Sequence, residues 1–343
     1  MRTVVFILSI LLFTYKCYAD PMAVGVGVHP VTFNGTPDKL VELLKNYNVE
    51  TIRTDYPWRN VEKEKDRFAP GNEKLELFLK IASANGIKPL LILDYGNPLY
   101  EKMSEDNPQG KPTSDTTISA YTKYAEWTTN HFGNKVDTYE IWNEWIQGAG
   151  KKNRIDAVSE ASAINYSKMV VATCNAIKKI DKSKKVIIGS TSASNPSELR
   201  WLTMVLAQDG VLSCIDGISL HIYGFSIRQK LSPQKTIFPV IVFQNYLKNK
   251  FNLKSDMPLY ITEIGVPSVE GTSYNEIDIK NYFTTVLEEF NKLGYVKGVW
   301  WYDFIDDGND KKNKEHNFGI MTQEFHPKPI GNLIKDAKSL INY

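Results

Sequence analysis

The 343-residue chain is 42% hydrophobic and 23% charged, with 41 Lys and Arg against 39 Asp and Glu for a formal net charge of +2. That is the composition of a globular protein with a large core, and the near-balance of charge gives no electrostatic argument for a nucleic-acid partner. The 7 Trp and 18 Tyr, several gathered near acidic residues, hint instead at flat, hydroxyl-bearing ligands.

The chain opens with MRTVVFILSILLFTYKCYAD. The basic start at Arg2, the apolar run from Val4 to Phe13 and the small residue Ala19 have the layout of a secretory signal peptide. The competing reading, a retained membrane anchor, meets an apolar run short of the roughly 20 residues needed to span. A lipid anchor on Cys17 is opposed by Lys16, where such signals want a small residue. The expected domains are residues 1–19 as signal and 20–343 as the mature chain, secreted or periplasmic and free of the membrane after cleavage. Cys174 and Cys214 remain, and could form one bridge or stay as buried free thiols in their apolar contexts. NGT at Asn34 and NYS at Asn165 are glycosylation sequons only in a eukaryotic host.

From there a strand-like run and a helix-like segment take turns. The predicted strands are 24–29, 51–56, 88–95, 137–144, 185–191, 217–223, 258–265 and 298–304. Amphipathic stretches such as PDKLVELLKNYN, NEKLELFLKIASANG and DIKNYFTTVLEEFNKLG fall between them, and NLIKDAKSLI follows the eighth strand. Eight β-then-α units predict an α/β fold, a (β/α)8 TIM barrel in one domain. A doubly wound open sheet gives the same alternation, but it would often carry a phosphate-binding glycine fingerprint. VGVGVHP places Pro30 where the third glycine should be, so Gly25 and Gly27 read as close packing in the first barrel strand. There is no P-loop, HExxH or paired CxxC, and the five histidines are scattered, so neither metal nor other cofactor is expected.

In a barrel, chemistry gathers at the C-terminal ends of the strands. The polar residues at those ends are Arg53 and Asp55, Asp94, Asn143 and Glu144, His221 and Tyr223, Glu263, and Trp301 and Asp303. Glu144 and Glu263 directly follow uninterrupted apolar strands, where an unpartnered carboxylate would cost several kcal/mol. Glycoside hydrolysis needs two carboxyl groups flanking a sugar bond, one protonated and one ionised.

WNE closing the fourth strand and TE closing the seventh resemble the clan A glycoside hydrolases. With IRTDYPWRNVEKEKDRF, LHIYG, WWYDFIDDG and EHNFGIMTQEFHPKPI, the chain is most similar to glycoside hydrolase family 39 and its bacterial exopolysaccharide-hydrolase relatives. The resemblance implies Glu144 as general acid/base and Glu263 as nucleophile, with carboxyl groups about 5 to 5.5 Å apart as in retaining enzymes. It implies that Asn143 holds the sugar hydroxyl beside the reacting carbon, Tyr223 orients Glu263, Arg53 keeps that carboxylate ionised, and Trp301 floors the sugar while Trp300 packs outward. His221, Trp145 and Asp303 are expected neighbours. Xylosidases of family 39 carry an added β-sandwich, whereas this chain stops with the helix after strand eight. That departure moves the expectation from an exo-xylosidase toward a secreted retaining endo-β-glycosidase of extracellular or capsular polysaccharide, acting as a monomer. Exo-action, transglycosylation through the same intermediate, and a non-catalytic carbohydrate-binding barrel are the alternatives. Endo-cleavage would call for aromatic platforms, for which Trp58, Tyr95, Trp145 and Trp301 are the candidates.

Overall fold

The computed structural model describes residues 21–341 apart from residue 106 and residues 147–153. The expected signal peptide, including Cys17, lies outside the described residues.

Helices begin where short polar side chains can accept the unpaired N–H groups of a first turn. Thr36 caps Pro37–Asn46, Ser114 caps Asp115–Phe132 and Ser159 caps Glu160–Ile180. Asn275 and Asp278 form a reciprocal capping box on Glu276–Lys292. Between helices the runs rich in Val, Ile and Leu form strands: β1 (Ala23–Gly27), β2 (Thr51–Pro57), a small antiparallel hairpin of β3 (Glu62–Glu64) and β4 (Arg67–Phe68), then β5 (Lys88–Asp94), β6 (Thr138–Ile141), β7 (Lys185–Thr191), β8 (Gly217–Ile222), β9 (Leu259–Ile264) and β10 (Val296–Trp301). All but the hairpin join one closed parallel barrel in the order β1-β10-β9-β8-β7-β6-β5-β2. The fold is therefore the expected (β/α)8 barrel.

Strand alternation sorts the core into two layers. Outward-facing Ile52, Leu91, Ile141, Ile188, Leu220, Ile261 and Val299 are buried against the helices. Inside the barrel, Leu90, Ile187, Tyr260 and Trp300 form a separate apolar plug. Gly25 makes room for it, since a Cβ there would stand 2.6 Å from the Trp300 ring and 2.5 Å from Thr51 O. Trp300 thus points inward, opposite to expectation. Two adjacent tryptophans give no alternation cue, and a one-residue phase slip reverses every face.

Cys174 and Cys214 are joined in a disulfide with a Cα–Cα distance of 6.2 Å, tying the helix Glu160–Ile180 to the short helix Val211–Cys214. Among the described residues no helix is long and apolar enough to cross a membrane. Several strands end sooner than predicted, β6 at Ile141 and β10 at Trp301, because the residues that follow leave the sheet to line its mouth.

Candidate active site

The site is built on Arg53, which points into the barrel from β2 and is buried. Its guanidinium can only donate. Nε donates to Glu140 Oε2 at 2.7 Å, one terminal nitrogen donates to Glu263 Oε1 at 2.7 Å, and the other donates to Asn143 Oδ1 at 2.8 Å. That last nitrogen also stands 3.3 Å from His221 Nε2, which can accept from it when the ring is neutral with its proton on Nδ1. Nδ1 in turn lies 2.9 Å from Glu144 Oε1 and 3.4 Å from Glu263 Oε2. The Tyr223 hydroxyl donates to Glu263 Oε2 at 2.6 Å, and Asn143 Nδ2 donates to the Tyr95 hydroxyl at 3.0 Å.

Backbone irregularities bring these groups together. Along β9, Tyr260 and Thr262 face inward, so a regular strand would send Glu263 outward. Instead Leu220 and His221 of β8 pair with Ile261 and Glu263, skipping Thr262. This bulge aims Glu263 inside as well, while Ile264 returns to the outer core. Beyond β6, Trp142 and Glu144 adopt left-handed φ values of 66° and 49°. Such φ costs a non-glycine residue of order 1 kcal/mol, and here it turns both Asn143 and Glu144 toward the mouth.

Charge balance follows from the same contacts. Burial is the largest influence on Glu263 and would raise its pKa, but His221, Arg53 and the Tyr223 hydroxyl outweigh it and hold the carboxyl below the ordinary value. Glu140 behaves alike, burial being overcome by Arg53 and His221. Burial lowers His221, yet Glu263 and the hydrogen bond to Glu144 carry its pKa above the usual histidine value. Asp94 lies fully buried at the end of β5 beside Asp55, and burial, followed by the charge of Asp55 and a hydrogen bond with it, pushes its pKa well upward toward the neutral acid.

Arg53, Asp55, Asn143, Glu144, Tyr223 and Glu263 line a cavity of about 490 Å³ at the C-terminal mouth of the barrel, with Tyr95, Phe225, Tyr302 and Phe318 supplying aromatic surface. The expected Trp301 floor is not there. Trp301 is 1% exposed, packs on Phe283 and donates Nε1–H to Phe318 O at 2.9 Å, because the alternation that turns Trp300 into the barrel turns Trp301 to the helices. Tyr302 lines the cavity in its stead. Trp145 is also buried, against Trp142 and Tyr166, with Nε1 bonded to Ser162 at 3.0 Å. Trp58 is buried with Nε1 on Glu62 at 2.6 Å, so of the proposed platforms Tyr95 alone faces the cavity. Asp303 is buried beside the cavity rather than in it, with its Oδ2 3.2 Å from His29 Nε2.

Sequence reasoning passed over Glu140, which is 0% exposed and also accepts from Ser190 at 2.8 Å and Thr262 at 3.2 Å. A charge in the middle of an apolar strand was the available signal. Two groups among the described residues have ligand atoms within 4.8 Å of one another and could share a cation: Glu144, His221 and Glu263, and His29, Asp303 and Asp307. In the first group the neighbouring Arg53 charge opposes a metal ion.

Paired carboxylates over an arginine-centred network, at the C-terminal mouth of a (β/α)8 barrel, define the class of barrel glycoside hydrolases. Within that class the chain belongs to the glycosyl hydrolase catalytic core family, whose model matches residues 113–332. A family 39 glycoside hydrolase from the gut symbiont Bacteroides cellulosilyticus is 26% identical with a TM-score of 0.76, covering 94% of this chain and 64% of its own. This chain thus spans a little under two thirds of that protein. The family 1 β-glucosidase of Thermotoga maritima (12% identity, TM-score 0.67, 95% of this chain and 99% of that one) and the exo-β-1,4-mannosidase Op5Man5 of an Opitutaceae bacterium (13% identity, TM-score 0.67, 93% and 60%) share the fold. No curated protein matches the chain.

Proposed function

We propose that the chain is a secreted, retaining β-glycosidase that cuts within an extracellular polysaccharide. The observation that carries the retaining mechanism is the closeness of the two carboxylates, whose nearest oxygens lie within 4.8 Å. Retaining enzymes hold the carboxyl groups about 5–5.5 Å apart, against roughly 6.5–9.5 Å where a water must fit between. Glu263, kept ionised by Arg53, His221 and Tyr223, attacks the anomeric carbon. Glu144 gives its proton to the leaving oxygen as the glycosidic C–O bond breaks. It then takes a proton from the water that releases the sugar from Glu263, so the anomeric configuration is inverted twice and retained. Asn143, held by Arg53 and Tyr95, is placed to bind the hydroxyl beside the reacting carbon.

Secretion is supported by the layout of residues 1–19 and by the Cys174–Cys214 disulfide, since such bonds persist in oxidising compartments. The β configuration is carried over from the names of the β-glucosidase and β-mannosidase neighbours. The mannosidase is named as exo-acting, which favours as second reading an enzyme removing one terminal sugar. Product analysis on β-glucan, β-mannan and β-xylan separates the two, because internal cutting yields oligosaccharides early and terminal cutting releases monosaccharide alone. For the mechanism, Glu263→Ala with azide should give the glycosyl azide of opposite anomeric configuration, and Glu144→Ala with azide the retained one. The reverse pattern would exchange the two roles, and inversion of configuration by the wild-type enzyme would refute retention.

A further inference from the structure

The helix Pro233–Lys250 runs back from the end of β8 at the barrel mouth to the start of β9, and it is apolar on two faces. Ile237, Val240, Phe243 and Leu247 are buried on its inner face, as a helix of the outer layer requires. On the other face Phe238, Val242 and Tyr246 are exposed, Phe238 by 65%. Their i, i+4, i+8 spacing makes them one stripe about 12 Å long, where a surface helix ordinarily carries polar residues. Exposed Ile227 lies in the loop that leads from the cavity-lining Tyr223 and Phe225 into this helix, and it extends the apolar surface toward the mouth.

The stripe sits in a stretch of one charge sign. From Phe225 to Ser255 there are six Lys and Arg, all exposed, and no Asp or Glu. Lys248 is paired with Asp256 at 3.0 Å, and the other cations of the stretch make no ion pair among the described residues. Lys235 Nζ donates only to the neutral Gln229, at 2.7 Å. The carboxylates of the helix packed alongside, Glu276–Lys292, are directed elsewhere. Glu289 holds Lys292 at 2.6 Å, with Glu288 acting on the same ammonium. Asp278 accepts the Asn275 N–H at 2.9 Å, and Glu276 stands within electrostatic reach of Lys328.

Chemistry separates the partners that could cover this face. A second copy docking by two-fold symmetry would set the same cations against each other. A soluble acidic glycan would answer the cations and stack on Phe238 or Tyr246, but it would leave the aliphatic Val242 and Ile227 in water. A surface that is anionic at its rim and apolar beneath satisfies both sets of groups.

We propose that this face is a peripheral docking surface for an anionic lipid bilayer, with Phe238, Val242 and Tyr246 entering the headgroup boundary while Arg228, Lys235 and Lys250 meet lipid phosphates. The inference stands apart from the glycosidase reading. Adsorption of this kind needs no spanning segment, and no helix among the described residues could supply one. It departs from the expectation that the cleaved chain is free of the membrane. With this helix lying on the bilayer, the barrel mouth opens along the surface and its β8 rim is nearest the lipid.

The test is co-sedimentation of the chain with vesicles of phosphatidylcholine alone and of phosphatidylcholine mixed with phosphatidylglycerol. The wild type should bind the mixed vesicles, bind phosphatidylcholine far less, and be released as salt is raised. Lys235→Gln with Lys250→Gln should weaken binding about 25-fold, roughly fivefold for each cation near the surface. Phe238→Ser with Val242→Ser should weaken it about tenfold or more, whereas Phe238→Leu with Val242→Ile, which keeps the face apolar, should stay within about twofold of wild type. No binding to mixed vesicles, equal binding to phosphatidylcholine alone, or binding indifferent to either the lysine or the serine pair would overturn the proposal, as would equal losses in the serine and the Leu/Ile pairs. Retention on polygalacturonate without vesicle binding would make the face a polyanion site. Self-association in sedimentation velocity that the serine pair abolishes, again without vesicle binding, would make it a contact between copies. Either result overturns the lipid assignment.

Discussion

Arg53→Met probes the electrostatic frame under the site. The substitution keeps much of the side-chain volume but removes the cation that stands 2.7 Å from both Glu140 and Glu263. Both carboxylates then remain buried without their guanidinium. Removing one partner of a buried ion pair costs about 3–5 kcal/mol. For a domain of this size that corresponds to a fall in Tm of about 5–7 °C at neutral pH. The pH dependence carries the sharper test. In the wild type the pKa values of Glu140 and Glu263 are depressed, so their contribution is present above the unfolded glutamate pKa of about 4.3 and is lost as pH falls through the folded values. In the variant, burial is the largest influence on both groups and Arg53 no longer opposes it. Their folded pKa values rise, the sign reverses, and acidification now relieves the penalty. Thermal melts followed by circular dichroism should therefore show a large gap between wild type and variant at pH 7.5 that narrows toward pH 4.5. Adding Glu140→Gln should recover stability, because a neutral amide can still meet Ser190 and Thr262, but it should not recover activity. A Tm deficit equal at both pH values, or a double variant no more stable than Arg53→Met, would refute the reasoning.

Tyr223→Phe removes the hydroxyl that donates to Glu263 Oε2. It should lower kcat about 10- to 100-fold with little change in KM, and move the acid limb of the kcat/KM profile to higher pH because that bond helps depress the Glu263 pKa. Trp301→Ala should act on stability, with a loss of about 3–5 kcal/mol in denaturant unfolding, whereas Tyr302→Ala should lower kcat/KM at an unchanged unfolding midpoint. The opposite pattern would return Trp301 to the sugar. Cys174→Ser with Cys214→Ser opens a loop of sequence separation 40 and should cost about 4 kcal/mol by loop-closure entropy, read as a Tm shift that reducing agent reproduces in the wild type.

The barrel was legible because its signal is repeated. Apolar strands alternate with capped amphipathic helices along the chain, and an error of two or three residues at one boundary leaves the order of elements intact. The catalytic candidates Arg53, Asn143, Glu144, His221, Tyr223 and Glu263 were legible as polar types in or just beyond the strands, and they do converge within hydrogen-bonding reach of one another. Which face a residue takes at a strand end was not legible, because faces there depend on bulges and left-handed turns that leave no period in the sequence. The bulge in β9 rescues the inward aim of Glu263, and nothing rescues Trp301, which follows the regular alternation of β10 outward.

Glu140 shows what a stricter reading of buried charge could have recovered. A carboxylate in the centre of Tyr139-Glu140-Ile141, with Asn143 and Glu144 close behind, cannot stay buried and ionised without a cation. Arg53 is the arginine that lies inside a predicted strand, in the middle of a run that places it toward the barrel centre. Satisfying Glu140 would therefore have drawn Arg53 across the barrel before any family resemblance was considered. The same step explains why one guanidinium serves both carboxylates. Glu140 anchors Nε and sets the plane of the fork, and that plane directs the terminal nitrogens to Glu263 and Asn143. The precision of Glu263's position thus depends on Glu140, a residue that does not line the cavity.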